Sequence, residues 1–358
     1  MAYSYRLFRI FGISVELHIT FILFLILVLF FGFPALLFFL LLFAIVLVHE
    51  FCHSLVAMSF GIKVPKITLL PIGGLASVEL PSNPVQELAI SIAGPLFNFA
   101  MALAAFVLLV LLKVSMFSYN SVLDAFMSGS AAQSPLTLAL NLIIYINLVL
   151  GGLNALPAFP MDGGRIFRSA LALWLDYLTA TRIALWFGQL FFLFMVIAGF
   201  LLGNFWWVIV GVFLSFAGSS ELKYITVRNI FEGVNLGDIA VRDVKMVSES
   251  VIVKDFMSLI ASKNTRFYFI VDLEGNVKGI LDLNLLQARN FDPKDPVSRH
   301  SARSIIIAGS KVSVEEALKG LMSEEIVVVV DDGRLVGYVT QDSVELSMGY
   351  YSAVKKMK

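Results

Sequence analysis

The stretch from Leu17 to Val48 contains no Asp, Glu, Lys or Arg in 32 consecutive residues. As one straight helix it would extend roughly 48 Å at ~1.5 Å per residue, whereas the hydrocarbon core of a bilayer is about 30 Å thick. If the stretch enters a membrane it must turn, and Gly32-Phe33-Pro34 is the expected turn because Gly and Pro interrupt helices. We therefore predict a helical hairpin at membrane depth.

The charged residues are divided unevenly along the chain. Hydrophobic residues make up 59% of the sequence and charged residues 15%, and the mean hydropathy is +0.88, which is too apolar for a soluble protein of 358 residues. Residues 1–220 hold 15 charged side chains, whereas residues 221–358 hold 37. We predict a polytopic α-helical membrane protein with about six transmembrane helices and a C-terminal soluble α/β domain. The expected limits are 1–220 for the membrane domain, 221–236 for a linker and 237–358 for the soluble domain.

Further apolar stretches predict the remaining membrane spans at Leu88–Leu112, Leu136–Leu156, Ile183–Leu202 and Phe205–Gly218. Six spans would put both termini on one side of the membrane. Basic residues indicate which side, because cytoplasmic loops are rich in Lys and Arg. With a cytoplasmic N-terminus, Lys113 alone lies outside. The nine basic residues near the spans that would lie inside are Arg6, Arg9, Lys63, Lys66, Arg165, Arg168, Arg182, Lys223 and Arg228. We predict a multi-pass protein of the cytoplasmic membrane with both termini in the cytoplasm.

Charge and cysteine content narrow the function further. The net charge is zero, and the absence of any block of like charge argues against a nucleic-acid partner. Cys52 is the only cysteine, so no disulfide can form within the chain, and a metal site would use nitrogen and oxygen ligands.

The motif His49-Glu50-Phe51-Cys52-His53 places two imidazoles and a carboxylate inside an apolar stretch. On a helix, positions 49 and 53 project from one face, which suits two ligands of a single zinc ion. Glu50 is then the candidate general base. Ionisable groups at membrane depth are costly, and such residues are usually functional. The alternative is that the two histidines form hydrogen bonds between membrane helices.

A third ligand is expected where the fourth predicted span ends, in a segment from Asn154 to Arg165 with two prolines and two glycines. Irregular backbone at this depth is tolerated where it is buried in protein or lines a watery cavity. An unpaired Asp162 carboxylate would be costly there, and a metal would satisfy it. Two imidazoles, this carboxylate and a water would make a four-coordinate catalytic zinc site. Alternatively, Asp162 pairs with Arg165 or caps the next helix.

These motifs make the chain resemble the site-2 protease family of intramembrane zinc metalloproteases, in its archaeal and bacterial form with a pair of CBS domains. The resemblance is carried by His49-Glu50-x-x-His53, by the segment from Asn154 to Gly163, and by Gly94-Pro95-x-x-Asn98 on the third predicted span. It implies regulated intramembrane proteolysis, that is, hydrolysis of peptide bonds in or near the transmembrane segments of membrane-anchored protein substrates.

The resemblance also implies a role for each residue of the site. His49, His53 and Asp162 would be the ligands of one Zn²⁺ per chain, and Glu50 would be the catalytic carboxylate. Asn154 would hold the substrate or the developing oxyanion. The segment from Leu69 to Val78 is apolar and interrupted by Pro and Gly. It could offer an extended edge to an unwound substrate, or it could be a loop at the membrane interface.

The soluble half contains an internal repeat. The pattern at Val251–Ile260 recurs at Val312–Leu321, and Phe269–Asp272 recurs at Val328–Asp331. A helix, two strands joined by a Gly-containing turn, and a second helix are the expected order. This repeat resembles a tandem CBS pair, which commonly binds adenine nucleotides.

Two observations bear on the role of the CBS-like pair. Thr340 is retained in the second copy, but Ser343 stands where an Asp usually contacts ribose, and Asp342 lies one position earlier. In the first copy, Asp282 and Leu285 occupy the corresponding positions. The resemblance therefore leaves two interpretations: an adenine-nucleotide sensor, or a module that forms a homodimer without a ligand.

Two other functional classes fit a membrane domain joined to CBS domains. One is a CBS-regulated membrane transporter, which would have no need of Glu50 between the two histidines. The other is a catalytically inactive homologue that binds client proteins without cleaving them, against which the intact set of His49, Glu50, His53 and Asp162 argues.

Overall fold

The computed structural model divides into two compact units, Met1–Lys223 and Tyr224–Lys358. The residues it describes are 4–71, 73–76, 83–114, 116–117, 121–122, 126, 134–260, 265–288, 291–301, 305–322, 326–331 and 334–357.

Helices dominate the described part of the first unit. Their limits are α1 Ile19–Leu29, α2 Phe33–Ser59, α3 Pro84–Leu111, α4 Pro135–Asn154, α5 Asp162–Leu171, α6 Tyr177–Leu201 and α7 Phe205–Ile230. Among the described residues, α2, α3, α4 and α6 are long and apolar enough to cross a membrane. The apolar parts of α1 and α7, Ile19–Leu29 and Phe205–Gly218, are shorter. The described part of the first unit therefore has four helices that could cross a membrane, as expected of a polytopic α-helical domain.

The predicted hairpin turn is confirmed. The chain turns between α1 and α2, and Gly32 has a φ of 102°, a left-handed conformation that favours glycine. The predicted break after the fourth span is confirmed as well, because α4 ends at Asn154 and α5 begins at Asp162. Helix α6 begins six residues before the predicted Ile183, because Asp176 caps it and accepts a hydrogen bond from the Thr179 amide at 2.8 Å.

A four-stranded sheet packs against the ends of α2 and α3. Its strands are β1 Ser4–Ile10, β2 Ile13–His18, β3 Lys66–Leu70 and β4 Gly73–Ala76, in the order β1-β2-β3-β4. Only β2 and β3 run parallel to each other, whereas the other neighbours are antiparallel. Ile13 and Ile67 are fully buried against Ala57 of α2 and Ile90 of α3. Strand β4 is thus an edge of the sheet. Of the segment Leu69–Val78, residues 72, 77 and 78 lie outside the described residues.

The second unit contains two three-stranded sheets with the same arrangement. The strands are β5 Lys245–Ser248, β6 Phe267–Val271 and β7 Val277–Asp282 in one sheet, and β8 Ile305–Ala308, β9 Ile326–Asp331 and β10 Arg334–Val339 in the other. In each sheet the first strand is parallel to the second, and the second is antiparallel to the third. This common topology confirms the internal repeat.

The two sheets of the second unit share an apolar core, in which Phe269 and Val328 are fully buried. The helices around them are α8 Leu236–Ile239, α9 Val253–Asp255, α10 Leu283–Ala288, α11 Val314–Met322 and α12 Gln341–Met357, with a π-helical turn at Phe256–Ile260 and a 3₁₀ turn at Val297–His300. Strands β5 and β8 are additional to the predicted order. Each is only four residues long, so it shows too little alternation to be recognised from the sequence.

Candidate metal centre

Three side chains converge where α2 meets the first turn of α5. Nε2 of His49 and Nε2 of His53 each lie 3.1 Å from Oδ2 of Asp162, and the two Nε2 atoms are 3.1 Å apart. Both histidines are buried, at 3% and 8% exposure. The structure therefore brings together the three ligands proposed from the sequence, and this group could hold a metal ion.

The outer nitrogen of each imidazole faces an acceptor. Nδ1 of His53 lies 2.6 Å from the carbonyl oxygen of Ile90, and Nδ1 of His49 lies 2.5 Å from Oδ1 of Asn98. A carbonyl oxygen only accepts, so in the neutral ring this contact favours the tautomer of His53 with its proton on Nδ1, which leaves the Nε2 lone pair directed at the cluster.

Asn98 favours the same tautomer of His49, with the proton on Nδ1. Its Nδ2 donates to Oδ1 of Asn147 at 2.9 Å, and Nδ2 of Asn147 donates to the carbonyl oxygen of Ile143 at 2.8 Å. This chain fixes the orientation of the Asn98 amide, so Oδ1 is the atom that faces His49. Two nitrogen lone pairs and one carboxylate oxygen form a donor set that zinc accepts, and hydrogen-bonded outer nitrogens are typical of zinc-binding histidines.

Glycines let the surrounding backbone come close to the site. A Cβ on Gly94 of α3 would lie 2.5 Å from Cε1 of His49 and would overlap the ring of His53. A Cβ on Gly163 would overlap the carbonyl oxygens of Ala155 and Leu156. Gly94 thus belongs to the site because of the space it leaves, and Gly163 lets α5 begin directly behind Asp162.

Glu50 lies on α2 beside the ligands and faces the edge of the sheet. A Cβ on Gly74 of β4 would lie 2.5 Å from Cγ of Glu50 and 3.4 Å from its Oε1. Glu50 is partly exposed. The structure therefore puts the proposed base against the strand whose segment was expected to meet an unwound substrate.

Asn154 is the last residue of α4 and is partly exposed. Within the described residues, its side chain forms no hydrogen bond with the three ligands. Its role in binding substrate or oxyanion therefore stays a prediction. Sequence reasoning missed Asn147 and the carbonyl of Ile90, and it named Asn98 only as part of the Gly94-Pro95-x-x-Asn98 motif. An amide inside an apolar span was the available signal for Asn147.

Comparison with known proteins gives two family matches. Peptidase family M50 matches residues 37–198, a range that contains all three candidate ligands, and the CBS domain family matches residues 297–344.

The chain is 34% identical over 365 residues to the zinc metalloprotease MJ0392 of Methanocaldococcus jannaschii, with 100% of both chains covered. It is 27% identical over 333 residues to the putative zinc metalloprotease sll0528 of Synechocystis sp., covering 85% of this chain and 80% of that one. Among solved structures, the site-2 protease from Methanocaldococcus jannaschii matches at 39% identity and a TM-score of 0.45, covering 62% of this chain and 95% of that one.

Proposed function

The chain belongs to peptidase family M50, and we propose that His49, His53 and Asp162 hold the zinc ion of this intramembrane metalloprotease while Glu50 is its catalytic base. The observation that carries the proposal is the convergence of two Nε2 atoms and one carboxylate oxygen at mutual distances of 3.1 Å. The bonds from Nδ1 of each histidine support it, because they leave both Nε2 atoms free to act as ligands.

The chemistry divides between the metal and Glu50. One zinc ion per chain would supply Lewis-acid polarisation of the scissile carbonyl and would acidify a water molecule. The Glu50 carboxylate accepts the proton of the attacking water and then delivers it to the nitrogen of the leaving amine. Asn154, which terminates α4 near the start of the Asp162 loop, holds the substrate or the developing oxyanion.

The substrate is a membrane-anchored protein whose peptide bond lies in or near a transmembrane segment. A helical peptide bond is shielded by its own hydrogen bonds, so the segment must unwind before attack. Strand β4 supports this step, because it is an edge of its sheet and Gly74 lies against Glu50. An unwound segment would pair with β4 and so pass beside the base.

We propose six membrane spans in the cytoplasmic membrane, with both termini in the cytoplasm. The four long apolar helices support part of this count, and the apolar portions of α1 and α7 would be the first and sixth spans. Exposed tryptophans support the limits of α6, because Trp174 precedes it and Trp206 follows it, as expected at two membrane interfaces. The membrane domain would end at residue 220, with a linker at 221–236 and the CBS pair at 237–358.

We propose that the CBS pair regulates the membrane domain. Ser343 cannot replace the usual ribose-binding Asp, because its Oγ donates to the carbonyl of Thr340 at 2.9 Å and it is buried. Asp282 is also engaged, since it is 1% exposed, lies 3.3 Å from Arg266 and caps α10 through the amide of Asn284. Asp342 lies 3.4 Å from the same Arg266, but its side chain is 72% exposed, so an adenine nucleotide would be held through Asp342. Pairing of two chains through this unit remains the alternative role.

Metal analysis of purified variants tests the proposed site. Wild-type protein and Glu50→Gln should each contain about one zinc per chain, whereas His53→Ala and Asp162→Ala should lose it, because only the latter two remove ligands. Cleavage separates the proposal from the two alternative functions. Neither a transporter nor an inactive client-binding homologue would cleave a substrate in a manner that depends on Glu50. Full zinc retention by Asp162→Ala, together with loss from Glu50→Gln, would contradict the assignment.

A further inference from the structure

Glu87, Arg168 and Tyr177 form a buried cluster that takes no part in the proposed chemistry. Nε of Arg168 donates to Oε1 of Glu87 at 3.1 Å, and Nη2 contacts the same oxygen. The hydroxyl of Tyr177 donates to Oε2 of Glu87 at 2.9 Å. Arg168 is fully buried and Glu87 is 3% exposed. A charge pair this deeply buried is costly to desolvate, so its contribution to stability alone does not account for it.

Arg168 also contacts the loop that precedes Asp162. Its guanidinium lies over the ring of Phe159 at 4.8 Å and over the ring of Tyr177 at 4.9 Å. Phe159 is 2% exposed and lies three residues before Asp162. The same arginine therefore links Glu87 of α3 to both sides of the third ligand: the loop before it and the helix after it.

Close backbone packing gives this loop little room to move. A Cβ on Gly164 of α5 would lie 2.6 Å from the amide nitrogen of Phe159, and one on Gly188 of α6 would lie 3.2 Å from Cα of Ala158. A Cβ on Gly218 of α7 would lie 2.9 Å from the carbonyl oxygen of Phe159. The loop is thus enclosed by three helices, and Arg168 packs against it as well.

One face of α3 connects the whole arrangement. Glu87, Ile90, Gly94 and Asn98 follow one another at intervals of three or four residues, so they share a helix face. Ile90 and Asn98 accept from His53 and His49, and Gly94 packs against both rings. Glu87 lies one turn before Ile90 and holds α5 through Arg168. The distance between the imidazoles and the Asp162 carboxylate therefore depends on α3.

We propose that the Glu87–Arg168 ion pair is a positioning device, which sets the Asp162 carboxylate at ligand distance from the two imidazoles. The inference rests on the proposed function, because it takes these three residues as the zinc ligands. Its consequence is specific: neutralising the pair lowers the affinity for metal without removing a ligand.

The test uses the full-length protein purified in detergent. The double variant Glu87→Gln/Arg168→Met removes both charges, so no unpaired charge is left buried. Tyr177→Phe removes one hydrogen bond to Glu87 and serves as a milder variant. Ser215→Ala is the control, because it removes a hydrogen bond between α6 and α7 to Gln189 and touches no ligand. Three quantities are measured: zinc affinity by competition with a chelator, the absorption spectrum of bound Co²⁺, and thermal unfolding of the metal-free protein.

The double variant should bind zinc about tenfold more weakly, and its Co²⁺ spectrum should change. This is the lower end of the roughly 10- to 100-fold range for groups bonded directly to metal ligands, because the pair acts on Asp162 only through the loop and α5. Tyr177→Phe should show a smaller loss, and Ser215→Ala should bind metal like the wild type. A double variant that unfolds at a lower temperature but keeps the wild-type affinity and spectrum would overturn the inference, since the pair would then serve stability alone. Failure of the wild type itself to bind zinc or Co²⁺ would overturn the proposed function as well.

Discussion

Gly94→Ala is the substitution for which the structure makes the sharpest prediction. The added methyl group would lie 2.5 Å from Cε1 of His49 and closer still to Nε2 of His53. Ordinary van der Waals contact begins roughly 1 Å farther out, so either α3 or the two imidazoles must move. Both imidazoles are held by Nδ1 bonds to α3 itself, and a displacement of α3 therefore carries the ligands with it.

The size of the effect follows from the cost of overpacking. Inserting a methyl group into a packed interior typically costs about 1–3 kcal/mol. Here the strain falls on two metal ligands, and each 1.4 kcal/mol is worth about a factor of ten in a binding constant. Gly94→Ala should therefore weaken zinc binding by roughly 10- to 100-fold, with cleavage activity falling in proportion to the zinc lost.

Gly152→Ala is the matched control, because it makes the same change within helix α4 and the new Cβ would meet nothing within 4 Å. A helical Gly→Ala change with free space should stabilise the protein by about 0.5–1 kcal/mol. Zinc affinity is measured by chelator competition, and stability by thermal unfolding of the metal-free proteins. If Gly94→Ala binds zinc as tightly as Gly152→Ala, the close packing of α3 on the imidazoles has been misjudged.

Three further predictions concern the base, the topology and the CBS pair. Gly74→Ala should keep its zinc but lose most cleavage, because its Cβ would lie 2.5 Å from Cγ of Glu50, and zinc loss in this variant would contradict that division of roles. Arg165 is exposed, so Arg165→Cys in a Cys52→Ser background should react with a water-soluble thiol reagent added on the cytoplasmic side. Labelling only from the outside would show that the proposed orientation is wrong. In calorimetry of the full-length protein, Asp342→Asn should weaken the binding of ATP or AMP. Binding of unchanged affinity in this variant would show that Asp342 does not hold the nucleotide.

The membrane hairpin and the histidine pair were within reach of the sequence because both depend on local spacing. An uncharged stretch of 32 residues has few ways to fold, and a four-residue interval on a helix puts two side chains on one face. Asp162 is different, because it follows His53 by 109 residues and its approach depends on helix packing. Only a costly carboxylate in a broken helix, together with the family resemblance, indicated it.

The residues that hold the ligands in place were harder to predict. Asn98 and Asn147 are 49 residues apart, and Glu87 and Arg168 are 81 residues apart, so no periodicity connects either pair. Arg168 was counted among the basic residues of the cytoplasmic face, but the structure buries it completely. Burial of a charged group is decided by its distant partner, and a single sequence does not reveal such partners.

Comparison of the membrane proteomes of cells that express the wild-type chain or Glu50→Gln tests the central claim most directly. The substitution exchanges one carboxylate oxygen for an amide nitrogen and removes the proposed base but no ligand. We predict protein fragments with new termini in or near transmembrane segments in the wild-type cells alone. Purified wild-type enzyme added to membranes from the variant cells should generate the same fragments, and a zinc chelator should prevent this. Equal fragments from the Glu50→Gln enzyme would contradict the account.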